Sequence, residues 1–292
     1  MMKTAVLGLG LMGSEIALRL KRQGREVICW NRGQANRDAA ARRGLDLALT
    51  PAEAVAASEL VILVLSDAAA ITGTLFESAD PLKLRGRVLI QMGTIAPAES
   101  RQIAERVTAL GGNYLEAPVL GSLPEAREGT LILMAGGDRD LFERCRPLLR
   151  DLSRDPQWIG PIGQAAALKL AMNQLIAGLT ASFAASLALV RREGIDVEQF
   201  MTLLRGSALH AKTFDKKLDK YLSHDYAGAS FPLKHLLKDV RLFARVGEAA
   251  GLDTRVISAI EAVCTDAAAA GLADQDYSAL YEVLSVSKTS RA

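Results

Sequence analysis

Among the few polar side chains of one nearly apolar stretch, two stand out. Between Ala165 and Val190 the chain is nearly continuous in hydrophobic residues, and Lys169 and Asn173 stand four positions apart within it. That spacing puts them on one face of a helix. A buried ammonium is costly unless a neighbouring group uses it. The pair therefore admits two readings. One is a lysine placed for proton transfer beside an amide; the other is a lysine whose stem covers an apolar face while its head reaches solvent. The elements around the pair must decide.

A second chemical signal lies near the N-terminus. Lys3 to Leu7 is a short apolar run, followed by Gly8-Leu9-Gly10-Leu11-Met12-Gly13 and a helical pattern from Ser14 to Arg22 that Gly24 ends. Strand, glycine turn and helix in this order form a Rossmann fingerprint. Gly8 permits the tight turn, Gly10 lets the backbone approach a pyrophosphate, Gly13 allows close helix packing, and amides at the helix start meet the phosphates. Three spaced glycines are weak evidence alone, but Glu26 to Trp30 follows as a second strand at the distance of a βαβ unit. At that strand's end an NAD-selective protein often carries a carboxylate for the ribose 2′-hydroxyl, whereas this chain has Asn31-Arg32. A guanidinium pairs with a 2′-phosphate, so NADP is expected in preference to NAD. A surface arginine near a helix start is the alternative.

The strand–helix alternation continues. Thr50-Pro51-Ala-Glu53 reads as a capped helix start. Leu60 to Leu65 is a strand of the kind buried on both faces, ending at Ser66-Asp67, and Val88 to Met92 runs into Gly93-Thr94 before a helix from Pro97 to Leu110. Loops after successive strand ends are expected to converge on one crevice. Thr94 fits a ligand contact there or an ordinary helix-start hydroxyl. Tyr114 to Glu116 leads into a glycine turn whose amides at Gly121 and Ser122, with the Ser122 hydroxyl, could hold a carboxylate; a simple loop is the other reading. Asp138 caps a helix to Leu149, and Trp158-Ile159 makes a last strand. After Gly163 the pattern is helical. The expected architecture is an α/β doubly wound parallel-sheet domain over residues 1–163, followed by an all-helical domain over 164–292. Lys238-Asp239 falls on a helix opened by Phe231-Pro232-Leu233; adjacent residues on a helix do not face one another, so Lys238 reads as solvated surface.

Composition narrows the classes of function. The chain has 292 residues, half of them hydrophobic, and a formal net charge of +2 with both signs interspersed. Neither nucleic acid nor an anionic membrane is the expected partner. Cys29, Cys145 and Cys264 are distant from one another, and His210, His224 and His235 are scattered. Reduced thiols, no metal site and a cytoplasmic location are expected. The N-terminal stretch does not resemble a signal peptide. The long apolar helix, interrupted by Lys169, Asn173, Gln174 and Ser182, reads as a core helix and not a membrane span, and the polar stretch from Ser285 to Ala292 as a loose tail.

Together these motifs resemble the β-hydroxyacid dehydrogenase family over essentially the whole chain. Those that carry the resemblance are Gly8-Leu-Gly-Leu-Met-Gly13, Gly93-Thr-Ile-Ala-Pro97, Glu116-Ala-Pro-Val-Leu-Gly121 with Gly129-Thr-Leu131, Lys169 with Asn173, and Phe231 with Lys238-Asp239, in the family's order. The resemblance implies that Lys169 is catalytic, that Asn173 touches substrate, and that Gly121 and Ser122 anchor a carboxylate. It further implies that Leu65, Ser66, Thr94 and Lys238 approach the cofactor with Phe231 close by, and that the helical half packs against a partner subunit in a homodimer or homotetramer. The expected activity is hydride transfer between NADPH and a small carboxylate-bearing aldehyde, keto acid or hydroxyacid. An imine reductase-like enzyme and a non-catalytic NADP-binding protein are the alternatives. The chain departs from the family at Leu120-Gly121-Ser122, where Ser-Gly-Gly is common, at Gln91, where Asp is usual, and at Gly33, where Thr often stands. Residues 121–126 look closer to the glyoxylate/succinic semialdehyde reductase branch.

Overall fold

The computed structural model describes residues 3–78 and 81–285. The chain divides into two compact units, the first running through Lys169 and the second starting at Leu170.

The first unit is built on strands β1 (Thr4–Leu7), β2 (Val27–Trp30), β3 (Asp46–Leu47), β4 (Leu60–Leu63), β5 (Val88–Gln91), β6 (Asn113–Glu116), β7 (Val119–Leu120), β8 (Ile132–Gly136) and β9 (Gln157–Gly160). They form one sheet in the order 3-2-1-4-5-6-8-7, with β9 paired to β8. Six neighbours, from β3 to β6, are parallel. Their sequences are runs of Val, Ile and Leu because both faces are covered. On one face Val6, Ile62, Ile90 and Leu115 pack with Ile16, Leu20 and Phe142; on the other Leu7, Val61, Leu63 and Leu89 pack with Ile71, Ile103 and Val107. The covering helices are α1 (Leu11–Arg22), α2 (Gln34–Arg42), α3 (Pro51–Ala56), α4 (Ala68–Phe76), α5 (Pro97–Ala109), α6 (Leu123–Glu128) and α7 (Arg139–Leu149). One feature modifies the expected wholly parallel sheet. β8 runs antiparallel to both β6 and β7, since the chain returns through a short connection instead of a full helical crossover. After the glycine turn at Gly121 and Ser122, residues 123–128 form the short helix α6.

The second unit takes up the helix α8 (Gln164–Arg192), which begins in the first, and adds α9 (Val197–Arg205), α10 (Lys212–Ser223), α11 (Leu233–Ala249) and α12 (Arg255–Ala267). A π-helical turn at Ala268–Leu272, a 3-10 turn at Tyr277–Leu280 and α13 (Tyr281–Ser285) end the described chain; the expected tail after Ser285 lies outside the described residues. Phe183 of α8 stacks on Phe214 of α10 at 4.5 Å between centroids, within a core shared by Leu187, Met201, Tyr221, Leu236, Val240, Ile257 and Ile260. The start of α11 is held by a neighbouring segment: Leu233 N–H donates to the Gln275 carbonyl and Tyr277 N–H to that of Phe231. A buried ion pair, Lys217 Nζ to Asp276 Oδ2 at 2.7 Å, fixes that segment in turn. By length and composition α8 could cross a membrane. One face of it is built into the helical core through Ala177, Phe183, Ala184 and Leu187, while Leu175, Leu179 and Leu189 on its surface are 53%, 39% and 62% exposed.

Candidate active site

The glycine loop joins β1 to α1, and its three glycines do different things. Gly8 has φ +103°, and a Cβ there would lie 2.2 Å from the Val64 carbonyl oxygen, so only glycine fits. Gly13 is fixed by packing, because a Cβ on it would lie 1.9 Å from the Gly8 carbonyl oxygen. Gly10 has nothing within 4 Å of the corresponding position. It is the N-cap of α1, with no side chain bonded across the helix start. The first amides of a helix have no intrahelical partner, and its dipole favours an anion there. Two glycines therefore shape the loop and the third leaves room beside the helix start, an arrangement that fits a dinucleotide pyrophosphate. Leu11 is half exposed and Leu9 is buried, while Met12 packs against the core beneath the sheet. The Leu9 amide donates to Asn31 Oδ1 at 2.9 Å, and Asn31 Nδ2 donates to the Gly33 carbonyl at 3.1 Å. Asn31 thus braces the loop against the end of β2, leaving Arg32 exposed beside it.

The ends of β1, β4 and β5 do converge. A Cβ on Gly8 would touch Leu65 Cδ2 at 3.1 Å, and one on Gly93 would lie 2.5 Å from the Leu65 carbonyl oxygen. Ser66 is exposed, and its hydroxyl donates to Asp67 Oδ2 at 2.9 Å while Asp67 Oδ1 caps α4 at the Ala70 amide. Thr94 is not the helix-start hydroxyl: α5 has Ala96 as its N-cap, whose amide donates to Glu99, and Thr94 lies two residues earlier on the same loop as Gly93.

The turn at Gly121 and Ser122 is already in use. Gly121 has φ +126°, and the Ser122 amide donates to Glu125 Oε2 at 2.7 Å, closing the first turn of α6. The Ser122 amide is thus committed within the protein, and the Glu125 carboxylate stands at the turn. α6 is also tied to the nucleotide helix. Glu15 of α1, 4% exposed, pairs with Arg127 of α6 at 3.1 Å and Arg43 at 2.8 Å. Burial alone would push its carboxyl up, but the bonds from Arg127 and Arg43 hold it below the usual carboxylate value.

Lys169 and Asn173 lie on one face of α8, as their spacing predicts; Lys169 is half-buried and Asn173 buried. Asn173 Nδ2 donates to Asp239 Oδ2 at 2.6 Å. A carboxylate accepts, so this contact fixes which end of the amide is nitrogen. Lys238 also engages Asp239, Nζ to Oδ1 at 2.9 Å, although the two are sequence neighbours. The expectation that Lys238 is mere surface is corrected: its long stem curls back over the helix to a carboxylate that is 3% exposed. Phe231, before the start of α11, packs edge-on to Tyr277 and stacks on His235. Burial, and then the Lys238 and Lys234 charges, push His235 below its ordinary value.

Other residues carry structure here that sequence reasoning did not assign. Asp239 orients Asn173 from 66 positions away, and Glu125 occupies an amide in the Gly121–Ser122 turn. Glu116, 1% exposed, accepts from the amides of Gly163, Ala165 and Ala166 at 2.8, 2.9 and 3.2 Å. Beside it on β5, Gln91 is equally buried, and neither atom of its carboxamide has a hydrogen-bond partner among the described residues. Only the Ser122–Glu125 pattern, a hydroxyl residue followed three positions later by Glu, had a local signal.

A family model described as the NAD binding domain of 6-phosphogluconate dehydrogenase matches residues 3–160, and one described as the NAD-binding of NADP-dependent 3-hydroxyisobutyrate dehydrogenase matches residues 163–284. The chain belongs to the β-hydroxyacid dehydrogenase family. Among relatives, glyoxylate/succinic semialdehyde reductase 1 of Arabidopsis thaliana is 31% identical over 98% of this chain and 100% of its own length. Among solved structures, 3-hydroxyisobutyrate dehydrogenase from Salmonella typhimurium superposes with a TM-score of 0.85 at 24% identity, covering 97% of this chain and all of that one. An imine reductase from Streptomyces aurantiacus gives 0.64 at 26% identity, over 97% and 99%. The protein is thus a member of a family of NAD(P)-dependent oxidoreductases, with the Rossmann sheet followed by an all-helical region expected for a β-hydroxyacid dehydrogenase.

Proposed function

We propose that this β-hydroxyacid dehydrogenase interconverts a small carboxylate-bearing aldehyde or keto acid and its hydroxyacid, using NADPH, with Lys169 as general acid in reduction and general base in oxidation. The observation that carries this reading is the Lys169–Asn173 face of α8, with the Asn173 amide fixed by buried Asp239. A bound nicotinamide would supply the hydride. The chain's own residues do the rest. Lys169 gives a proton to the carbonyl oxygen in reduction and takes it back from the hydroxyl in oxidation. Asn173 gives one Nδ2 hydrogen to Asp239; its second N–H is left for the substrate oxygen and its Oδ1 for the ammonium, with no added charge. The Gly121 amide and the Ser122 hydroxyl would hold the carboxylate and set the carbonyl's angle. The open start of α1 and Gly10 would take the pyrophosphate, with Leu9, Leu11 and Met12 lining the same turn. Arg32 would pair with a 2′-phosphate, and Leu65, Ser66, Thr94, Phe231 and Lys238 would border the cofactor. The exposed Leu175, Leu179 and Leu189 of α8 suit burial against a second copy of the chain, and a cytoplasmic homodimer or homotetramer is the assembly proposed.

The test follows consumption of reduced nicotinamide with a panel of glyoxylate, succinic semialdehyde and related aldehydes. Lys169→Ala is expected to lower turnover by about two orders of magnitude or more while NADPH still binds; unchanged turnover would remove Lys169 from the mechanism. The likeness to an imine reductase keeps a second substrate class in view. Turnover of a cyclic imine with none of any aldehyde would replace the first reading.

A further inference from the structure

Glu116 is a fully buried carboxylate that the mechanism above does not use. It ends β6, and its Oε1 accepts from three backbone amides at the beginning of α8: Gly163, Ala165 and Ala166. Its other oxygen accepts from Ser100 Oγ at 2.6 Å. That direction commits the serine hydrogen, so the Tyr114 hydroxyl, 3.0 Å away, donates to Ser100. Burial pushes the Tyr114 phenol up, which keeps it a donor. Room for the carboxylate depends on Gly136, where a Cβ would come within 2.4 Å of Glu116 Oε1. Strands β6 and β8 and helix α5 therefore all fix one carboxylate, and its Oε1 fixes the first turn of α8.

What the first turn positions, one turn further on, is Lys169. It follows Ala166 by three positions and Ala165 by four, and helical side chains lean toward the N-terminus. The stem of Lys169 thus runs over the two residues whose amides Glu116 holds. Rotation of this turn by a fraction of a residue would carry the ammonium off its line to the substrate. We propose that Glu116 is a positioning residue for Lys169: it sets the rotational phase of α8 from the sheet and thereby the place from which the ammonium acts. The proposal rests on the catalytic reading of Lys169, and its test separates the two.

Three variants are compared in the full-length protein. Glu116→Leu removes the acceptor at similar volume; Glu116→Gln keeps an oxygen for the three amides; Ser100→Ala frees the far oxygen only. Each is measured for thermal stability, for kcat and KM with NADPH and with aldehyde, and for the pH dependence of trace acetylation at Lys169, read by mass spectrometry. Misplacing a reacting group by about an ångström costs up to about a hundredfold. Glu116→Leu is accordingly expected to lose about tenfold to a hundredfold in kcat, with the KM for NADPH within about twofold, and to move the acetylation midpoint of Lys169. Glu116→Gln should recover most of both, and Ser100→Ala should move them slightly in the direction of Glu116→Leu. A loss of stability alone, with kcat and the Lys169 acetylation profile unchanged while Lys169→Ala is inactive, would overturn the proposal and leave Glu116 a helix cap. If Glu116→Leu does not fold, Glu116→Gln and Ser100→Ala with unmoved profiles overturn it equally. If Lys169→Ala stays active yet the profile moves in Glu116→Leu, the positioning stands and the catalytic reading falls.

Discussion

Two helices of the nucleotide-binding unit begin directly after a glycine turn, and their first amides are used in opposite ways. At α1 the helix start is left open: Gly10 has no neighbour where a side chain would be, and no side chain of the described residues caps it. At α8 the start is filled by the protein's own carboxylate, Glu116, carried in from the sheet. The same dipole and the same unpaired N–H groups are present at both. What differs is whether the fold delivers an anion or leaves a place for one. α6 stands between these cases, since its first turn is closed by the locally supplied Glu125.

The contrast is open to direct challenge. The largest effect is expected within the loop of α1. Gly13→Ala drives a methyl into the Gly8 carbonyl and should destabilise the protein by about 3 kcal/mol, the cost of overpacking against backbone. Gly10→Ala meets nothing, so its thermal unfolding should shift by less than about 1 kcal/mol equivalent while NADPH affinity falls by about tenfold or more. Equal losses of stability in the two variants would mean that the α1 start is not open. Next in size is the other end of the same ligand. Arg32→Asp should weaken NADPH by about ten- to a hundredfold, the worth of a charge-assisted pair, and leave NADH unaffected; parallel losses would detach Arg32 from the 2′-phosphate. The smallest effect is expected at α6. Glu125→Gln removes a resident negative charge from the Gly121–Ser122 turn proposed to hold the substrate carboxylate, and KM for a carboxylate-bearing aldehyde should fall by about fivefold, about 1 kcal/mol at near-contact distance in a water-like surround. An uncharged aldehyde measured alongside should not change. A similar fall for both would assign Glu125 a steric effect instead.

Much of the framework was legible because it is local. The apolar runs at Val61 to Leu63 and Leu89 to Ile90 must be strands buried on two faces, and Gly8, Gly10 and Gly13 report a turn whose geometry excludes side chains at two positions. Lys169 and Asn173 needed only helical spacing to be placed together. The rest depends on contacts that leave no mark on the neighbouring sequence. Asp239 reaches Asn173 across 66 positions and Glu116 reaches Gly163 across 47; nothing around either acid distinguishes it from a surface carboxylate. The Lys238–Asp239 pair misled for another reason: backbone spacing argues against neighbours meeting, but a lysine's flexible stem can bend back where a buried carboxylate waits. Glu125 had a legible signal in Ser122-Leu-Pro-Glu125, which a glycine turn beside it obscured.

The three cysteines have a practical consequence. Cys29, Cys145 and Cys264 are all buried and free, and burial pushes their thiols up to about 12, 11 and 12. Almost none of each is thiolate at neutral pH, and a thiol reacts through its thiolate. The native fold is therefore close to silent toward maleimides and iodoacetamides. A single cysteine placed on an exposed position would be the one handle on the molecule for a fluorophore or spin label, with no need to remove the native three.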